Sequence, residues 1–224
     1  CIILRNKNYL FVDGRYIIQA KKEAGKNFKI IEIPYKWPKN IFKNLNIGYD
    51  PKLFTRSTLY RYFEDCCNLI AINQSIFKEK NKVIINSSFF SLNKKVTGES
   101  SVSKINKITN FLKNKKINYI YISSGENICW LLNIRGKDLP NSPIANCKLI
   151  LTKNKKIYFF SLLNKILNIK SRLKKLKVSF YKEDDFFTVL TYLNSGNFNV
   201  DHLTCSIFDE ELIKSKFKIK NYID

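Results

Sequence analysis

Asn127-Ile-Cys-Trp-Leu-Leu-Asn-Ile-Arg-Gly-Lys-Asp-Leu-Pro-Asn-Ser-Pro143 joins an apolar helical turn to an Arg-Gly break, an acid and two prolines. An apolar run of this length that ends in Gly and Pro reads as a short helix, over Glu126–Asn133, halted by Arg135-Gly136. The chain on either side alternates between strand and helix signals. Downstream, Lys148–Thr152 and Ile157–Phe160 are β-branched and aromatic runs around Lys153–Lys156, where Asn154 suits a positive-φ turn position. Upstream, Ile117–Ile122 reads as a strand. Before it, Val102, Ile105, Ile108 and Leu112 form an apolar helical stripe behind the N-cap candidates Ser100 and Ser101.

The rest of the chain extends the same alternation. Cys1–Leu4 and Tyr9–Val12 read as a hairpin, and Asp13-Gly14 breaks its second strand. A helix follows over Tyr16–Ala24, then a strand over Phe28–Ile33 and a short helix over Trp37–Leu45. A brief strand at Ile47–Tyr49 precedes a helix over Ser57–Cys67 and a strand at Leu69–Ile72. Asn73–Gly98, rich in Asn, Ser and Lys, reads as a connector. Towards the end come a basic helix over Lys170–Lys177, a strand from Val178, a helix over Glu183–Leu193 and a last strand–helix pair through Leu212. Such alternation favours layered α/β structure, with mixed sheets flanked by helices.

Composition narrows the function. The 224 residues are 45% hydrophobic and 14% aromatic, within the globular range. No apolar run reaches the ~20 residues of a membrane-spanning helix and no signal peptide opens the chain, so cytoplasm is the expected compartment. The chain starts at Cys1 and contains no Met, which suggests an excerpt of a longer protein. The formal charge of +22 invites nucleic acid or anionic lipid. However, the lysines are spread along the chain and travel with Asn and Ile, as AT-rich codons would supply them, while Arg, the bidentate reader of bases and phosphates, is scarce. The densest cluster, Lys170–Lys177, fits a solvated helix. Six cysteines, none in a Cys-x-x-Cys pair, read as reduced thiols in a cytosolic protein, and the vicinal Cys66-Cys67 pair is strained for a disulfide. The one histidine, His202, leaves a Cys/His zinc site without partners. Asp184-Asp185 reads as helix N-terminal charge and not as a catalytic pair.

Four elements in order, lying between Asp13 and Pro143, resemble the N-terminal region of the cytosolic, three-domain Xaa-Pro aminopeptidases of the creatinase/prolidase group. The first is Asp13, Gly14, Arg15, Tyr16, Gln19 and Ala20, and the second is Ile47, Gly48, Asp50 and Pro51. The third is Gly98, Glu99, Ser100 and Lys104. The fourth is Ile128, Trp130, Leu131, Asn133, Arg135, Gly136, Asp138 and Pro143. The chain departs from the family pattern at Gly125-Glu126, Cys129 and Ser142.

The resemblance implies two creatinase/prolidase N-terminal-like α/β domains, each a mixed sheet flanked by helices. It places the remainder of the first domain at 1–80, a linker at 81–99 and the second domain at 100–224, with the catalytic pita-bread domain absent. It further implies an enzyme, as the full-length protein, that releases the N-terminal residue from peptides with proline in second position. Two divalent ions, expected to be manganese, would be held by two Asp, a His and two Glu of the missing catalytic domain. This segment alone would be inactive, with no catalytic and no metal residue of its own. It would wall the substrate cleft and mediate a homodimer.

Arg15 is the candidate substrate-binding residue. Read from the residues alone it forms a surface pair with Asp13 or a glutamate; the resemblance implies substrate contact through a planar, permanently charged guanidinium. Trp130 and Leu131 are expected in the core, and Arg135 and Asp138 are expected to tie the loop or face a neighbouring domain or subunit. Alternatives are a non-catalytic interaction module of the same fold, a prolidase or creatinase relative, and a basic nucleic-acid-binding domain.

Overall fold

The computed structural model describes residues 1–72 and 87–220, which fall into two compact units: 1–50 with 56–72, and 51–55 with 87–220.

The first unit is built from two parallel crossovers. Strand β1 (Ile2–Ile3) pairs antiparallel with β2 (Asn8–Asp13), giving the expected hairpin. Asp13 then caps a 3-10 turn at Gly14–Tyr16, helix α1 follows (Ile17–Glu23), and β3 (Phe28–Ile33) returns parallel to β2. A second unit of the same kind runs β4 (Asn46–Tyr49), α2 (Arg56–Phe63), β5 (Asn68–Ala71), with β4 and β5 parallel. Two helices are shorter than expected. Trp37–Leu45 is only a 3-10 turn at Pro38–Asn40, because the Asn40 side chain turns back to accept from the Trp37 amide at 2.8 Å and Asn44 is left-handed. The α2 helix stops at Phe63, not Cys67, because Glu64 and Asp65 both take positive φ.

The second unit centres on a six-stranded mixed sheet. In chain order the unit contains β6 (Phe90–Ser91), α3 (Lys94–Thr97), α4 (Ser101–Asn114), β7 (Tyr119–Ile122), α5 (Gly125–Leu132) and β8 (Ile134–Arg135). Then come β9 (Lys148–Thr152), β10 (Ile157–Phe160), α6 (Lys170–Lys174) and β11 (Val178–Tyr181). Last are α7 (Phe186–Tyr192), β12 (Asn197–Val200), α8 (Ile207–Lys214) and β13 (Lys218–Ile219). The sheet order is β11-β10-β9-β7-β12-β13, antiparallel where β9 meets its two neighbours and parallel elsewhere.

Side chains alternate across this sheet as the period of two demands. Leu149, Leu151, Ile157 and Phe159 enter one core with Ile128, Leu131 and Leu173 of the helices. Ile150, Tyr158, Phe160, Tyr119 and Tyr121 enter the other with Phe186, Leu190 and Ile213. Helices therefore cover both faces, which is why β9 and β10 read as nearly unbroken apolar runs.

Several details depart from the sequence reading. Of the expected connector, residues 73–86 lie outside the described residues, but Phe90–Ser91 pairs with Ile134–Arg135 and Lys94–Thr97 is helical. Phe89 is fully buried there, an apolar anchor masked by its Asn, Ser and Lys neighbours. Val102, placed in the α4 stripe, is exposed, while Ile105 and Leu112 are buried. In the β9–β10 turn the positive φ falls on Lys155 and not Asn154. Glu183–Asp185 forms a 3-10 turn ahead of α7, with the Asp185 carboxylate accepting from the Lys182 amide. Strand β13 was not anticipated.

Candidate functional site

Arg15 sits where the sequence implied, at the broken end of β2. Its backbone amide donates to Asp13 Oδ1 at 3.0 Å and its Nε donates to the same oxygen at 2.9 Å. The pair is open to solvent, with the arginine side chain 80% exposed. The Asp13 carboxyl lies below its usual value, first because of the side-chain hydrogen bond from Arg15 and then because of the backbone one. One Asp therefore closes the turn and aims the guanidinium outward. The adjacent Tyr16 borders an open depression between β2 and α1, lined also by Leu10, Val12, Gln19 and Ala20.

In the second unit the structure joins two of the sequence elements, 98–104 and 128–138, through one buried lysine. Helix α5 ends because Asn133 adopts φ 50°, ψ 46°, a left-handed cap that Asn tolerates. The Arg135-Gly136 pair follows that stop and does not cause it. The Lys104 ammonium donates to Asn133 Oδ1 at 2.7 Å and to the Trp130 carbonyl at 2.8 Å. Asn133 Nδ2 donates in turn to the Glu99 carbonyl at 2.9 Å. Burial pushes the Lys104 ammonium below the ordinary lysine value, with the Glu99 carboxylate opposing the shift.

Trp130 corrects an expectation. Leu131 is fully buried as foreseen, but Trp130 is 50% exposed, and its ring lies over the Lys104 ammonium at 4.6 Å. Adjacent positions of a helix point about 100° apart, so burying Ile128, Leu131 and Leu132 turns Trp130 outward.

Arg135 and Asp138 tie the loop, as one of the two expected roles had it. Arg135 Nη1 donates to the Cys129 and Ile134 carbonyls at 3.2 and 2.7 Å. The Asp138 side chain is buried, ion-paired to Lys165, and accepts from the Asn146 amide at 2.7 Å. Two glycines clamp the returning chain. A Cβ on Gly125 would meet the Ala145 carbonyl at 2.6 Å, and one on Gly136 would meet Ala145 Cα at 2.7 Å. Gly125 is therefore required at the position where this chain departs from the family pattern.

Three partners escaped the sequence reading. Lys165 completes the Asp138 pair, and Arg172 donates to the Leu132 carbonyl and to Ser91 Oγ, pinning α5 to β6. Asp209 Oδ2 accepts from Tyr121 Oη at 2.7 Å and from Lys148 Nζ at 2.8 Å. Among so many lysines, no local signal separates the buried ones from the solvated ones.

A di-metal centre does not fit the donors present. Among the described residues no group of three or more His, Cys, Asp or Glu is placed to hold a metal ion. His202 is spent on Glu210, Nδ1 to Oε2 at 3.1 Å, and Asp185 on the Lys182 amide. Among the described residues no helix is long and apolar enough to cross a membrane.

Residues 79–222 match the family model described as the creatinase/prolidase N-terminal domain. The chain is 29% identical over 175 residues to a probable Xaa-Pro aminopeptidase P of Laccaria bicolor, covering 70% of this chain and 27% of the relative. It is 27% identical over 168 residues to Xaa-Pro aminopeptidase 1 of Dictyostelium discoideum, covering 64% of this chain and 27% of that protein. It therefore spans about a quarter of the length of these curated relatives. Among solved structures it is similar to an X-prolyl aminopeptidase of Caenorhabditis elegans, a cytosolic enzyme with a di-nuclear active site. The TM-score is 0.80 at 20% identity, over 99% of this chain and 40% of that one, which establishes the shared fold.

Proposed function

The chain belongs to the creatinase/prolidase N-terminal domain family, and from that membership we propose that it is the N-terminal, substrate-cleft region of a metal-dependent Xaa-Pro aminopeptidase. The observation that carries this reading is the family match over 79–222, joined to relatives that share one activity name. The enzyme releases the N-terminal residue from peptides with proline in second position. Its two divalent ions, manganese in this reading, are held by a catalytic domain outside this segment, and the assembly is a cytosolic homodimer. This segment supplies shape and substrate contact.

Arg15 is the contact residue in this reading. Its support is geometric: Asp13 fixes the guanidinium at Nε while the side chain stays in solvent, beside an open depression. A planar cation held this way can meet a peptide carbonyl or carboxylate with two donors. Hydrogen bonds to charged groups contribute about 1.5–3 kcal/mol, so Arg15→Ala in the aminopeptidase should lower kcat/KM roughly 10–100-fold while metal content stays constant. Unaltered kinetics on Xaa-Pro peptides would remove Arg15 from the site. The absence of any Xaa-Pro cleavage by the enzyme would refute the activity itself.

A further inference from the structure

We propose that Cys66 and Cys67 form a two-thiol chelating site for a soft, three-coordinate centre of the trivalent-arsenical class. This proposal is independent of the aminopeptidase reading. It begins with the backbone after α2, where Glu64 and Asp65 take φ 40° and 59°. In an extended segment successive side chains point to opposite faces, which would set adjacent sulfurs well apart. Here the turn brings both to one side, with Sγ atoms 3.9 Å from each other. The Phe42 carbonyl accepts from the Cys66 thiol at 3.2 Å and anchors it. Cys66 is half-buried and Cys67 buried, so the pair opens to solvent through Cys66.

The spacing selects the chemistry. A direct sulfur–sulfur bond needs ~2.05 Å, about half the distance present. Two ~2.3 Å bonds from one central atom hold their sulfurs about 3.3–3.8 Å apart for angles of roughly 90–110°, so thiols in contact at 3.9 Å reach such an atom by closing only a few tenths of an ångström. The two thiols, in contact with each other and with Cys66 held by the Phe42 carbonyl, can share one central atom without moving the backbone. A four-coordinate ion such as zinc needs further protein ligands, and no suitable third His, Cys, Asp or Glu stands with this pair among the described residues. A three-coordinate arsenical brings its own third substituent. The step balances without redox change: an organoarsenic(III) oxide and two thiols form two As–S bonds, and its oxygen leaves with the two thiol protons as water.

The test is intact-mass measurement after the folded protein meets phenylarsine oxide. One adduct per chain is expected, stable to excess monothiol and removed by 2,3-dimercaptopropanol. Either Cys66→Ser or Cys67→Ser should weaken retention about 100-fold, because the second bond is no longer intramolecular. The exposed Cys1 cannot chelate, and Cys1→Ser should leave the adduct intact. Circular dichroism confirms folding of each variant; Cys66→Ser, at the more open position, suffices if Cys67→Ser unfolds. An adduct that forms only in denaturant, survives in Cys66→Ser or disappears in Cys1→Ser overturns the proposal.

Discussion

Replacing Asp138 with alanine strands the Lys165 ammonium inside the second unit. The two side chains are 5% and 8% exposed, so neither charge can recover much hydration in place. The same substitution leaves the Asn146 amide without the carboxylate oxygen it reaches at 2.7 Å. Breaking a buried pair from one side costs about 3–5 kcal/mol, mostly as the penalty of the uncompensated partner. For a unit of roughly 150 residues each kcal/mol is worth about 2–4 °C, so the melting temperature should fall by roughly 6–20 °C. The assay is thermal unfolding by circular dichroism at neutral pH in low and high salt, because a buried pair resists screening that would erase a surface one. Asp138→Leu combined with Lys165→Met tests the mechanism: with both charges gone no ammonium is stranded, and the double variant should melt above Asp138→Ala. A fall below about 3 °C, or a double variant no better than the single one, would refute the reasoning.

Trp130→Ala should cost only about 1–2 kcal/mol, against the 3–5 kcal/mol of a core tryptophan, since the ring surrenders half-exposed surface and one cation–π contact; chemical denaturation reads the difference. Gly136→Ala forces a methyl group against the Ala145 and Ile144 backbone and should destabilise by about 1–3 kcal/mol in the same assay. The Glu99 carboxyl is held below its usual value by Lys107 first and Ser103 second. A depressed carboxylate contributes stability that is fully present above the unfolded value, near 4.3, and is lost as pH falls through the lower folded value. Glu99→Gln should therefore differ from the parent at pH 7 and converge with it in strong acid, as followed by urea denaturation across pH.

The sheets were legible because their strands carry signals that packing reinforces. Phe28–Ile33 matches its expected bounds because it alternates, and Lys148–Thr152 and Ile157–Phe160 match theirs because β-branched and aromatic runs are also what a two-sided core requires. Helix ends were harder. Glu64, Asp65 and Asn133 stop their helices through left-handed backbone at residues that are not glycine, where sequence offers only a weak hint. The motif residues were found in place, but their roles depended on distant partners. Asp138 meets Lys165 across 27 positions and Asn133 meets Lys104 across 29, separations over which periodicity carries no information. Hydrophobicity alone puts Trp130 in the core, but Ile128, Cys129, Leu131 and Leu132 already fill the inward arc of α5.

The lock at the end of α5 makes unequal demands on its four positions. The hydrogen bonds that Glu99 and Trp130 accept go to backbone carbonyls, which any residue provides. Lys104 must extend a long donor into a dry space, and Asn133 must offer an acceptor and a donor from one short group while holding a left-handed backbone. Aspartate would turn a second acceptor on the Glu99 carbonyl, glycine would keep the backbone and lose both bonds, and glutamine would overshoot by a methylene. Two widely separated letters of the chain thus form one indivisible choice, while the two beside them add a ring face and a carboxylate that support the Lys104 charge without completing its hydrogen bonds.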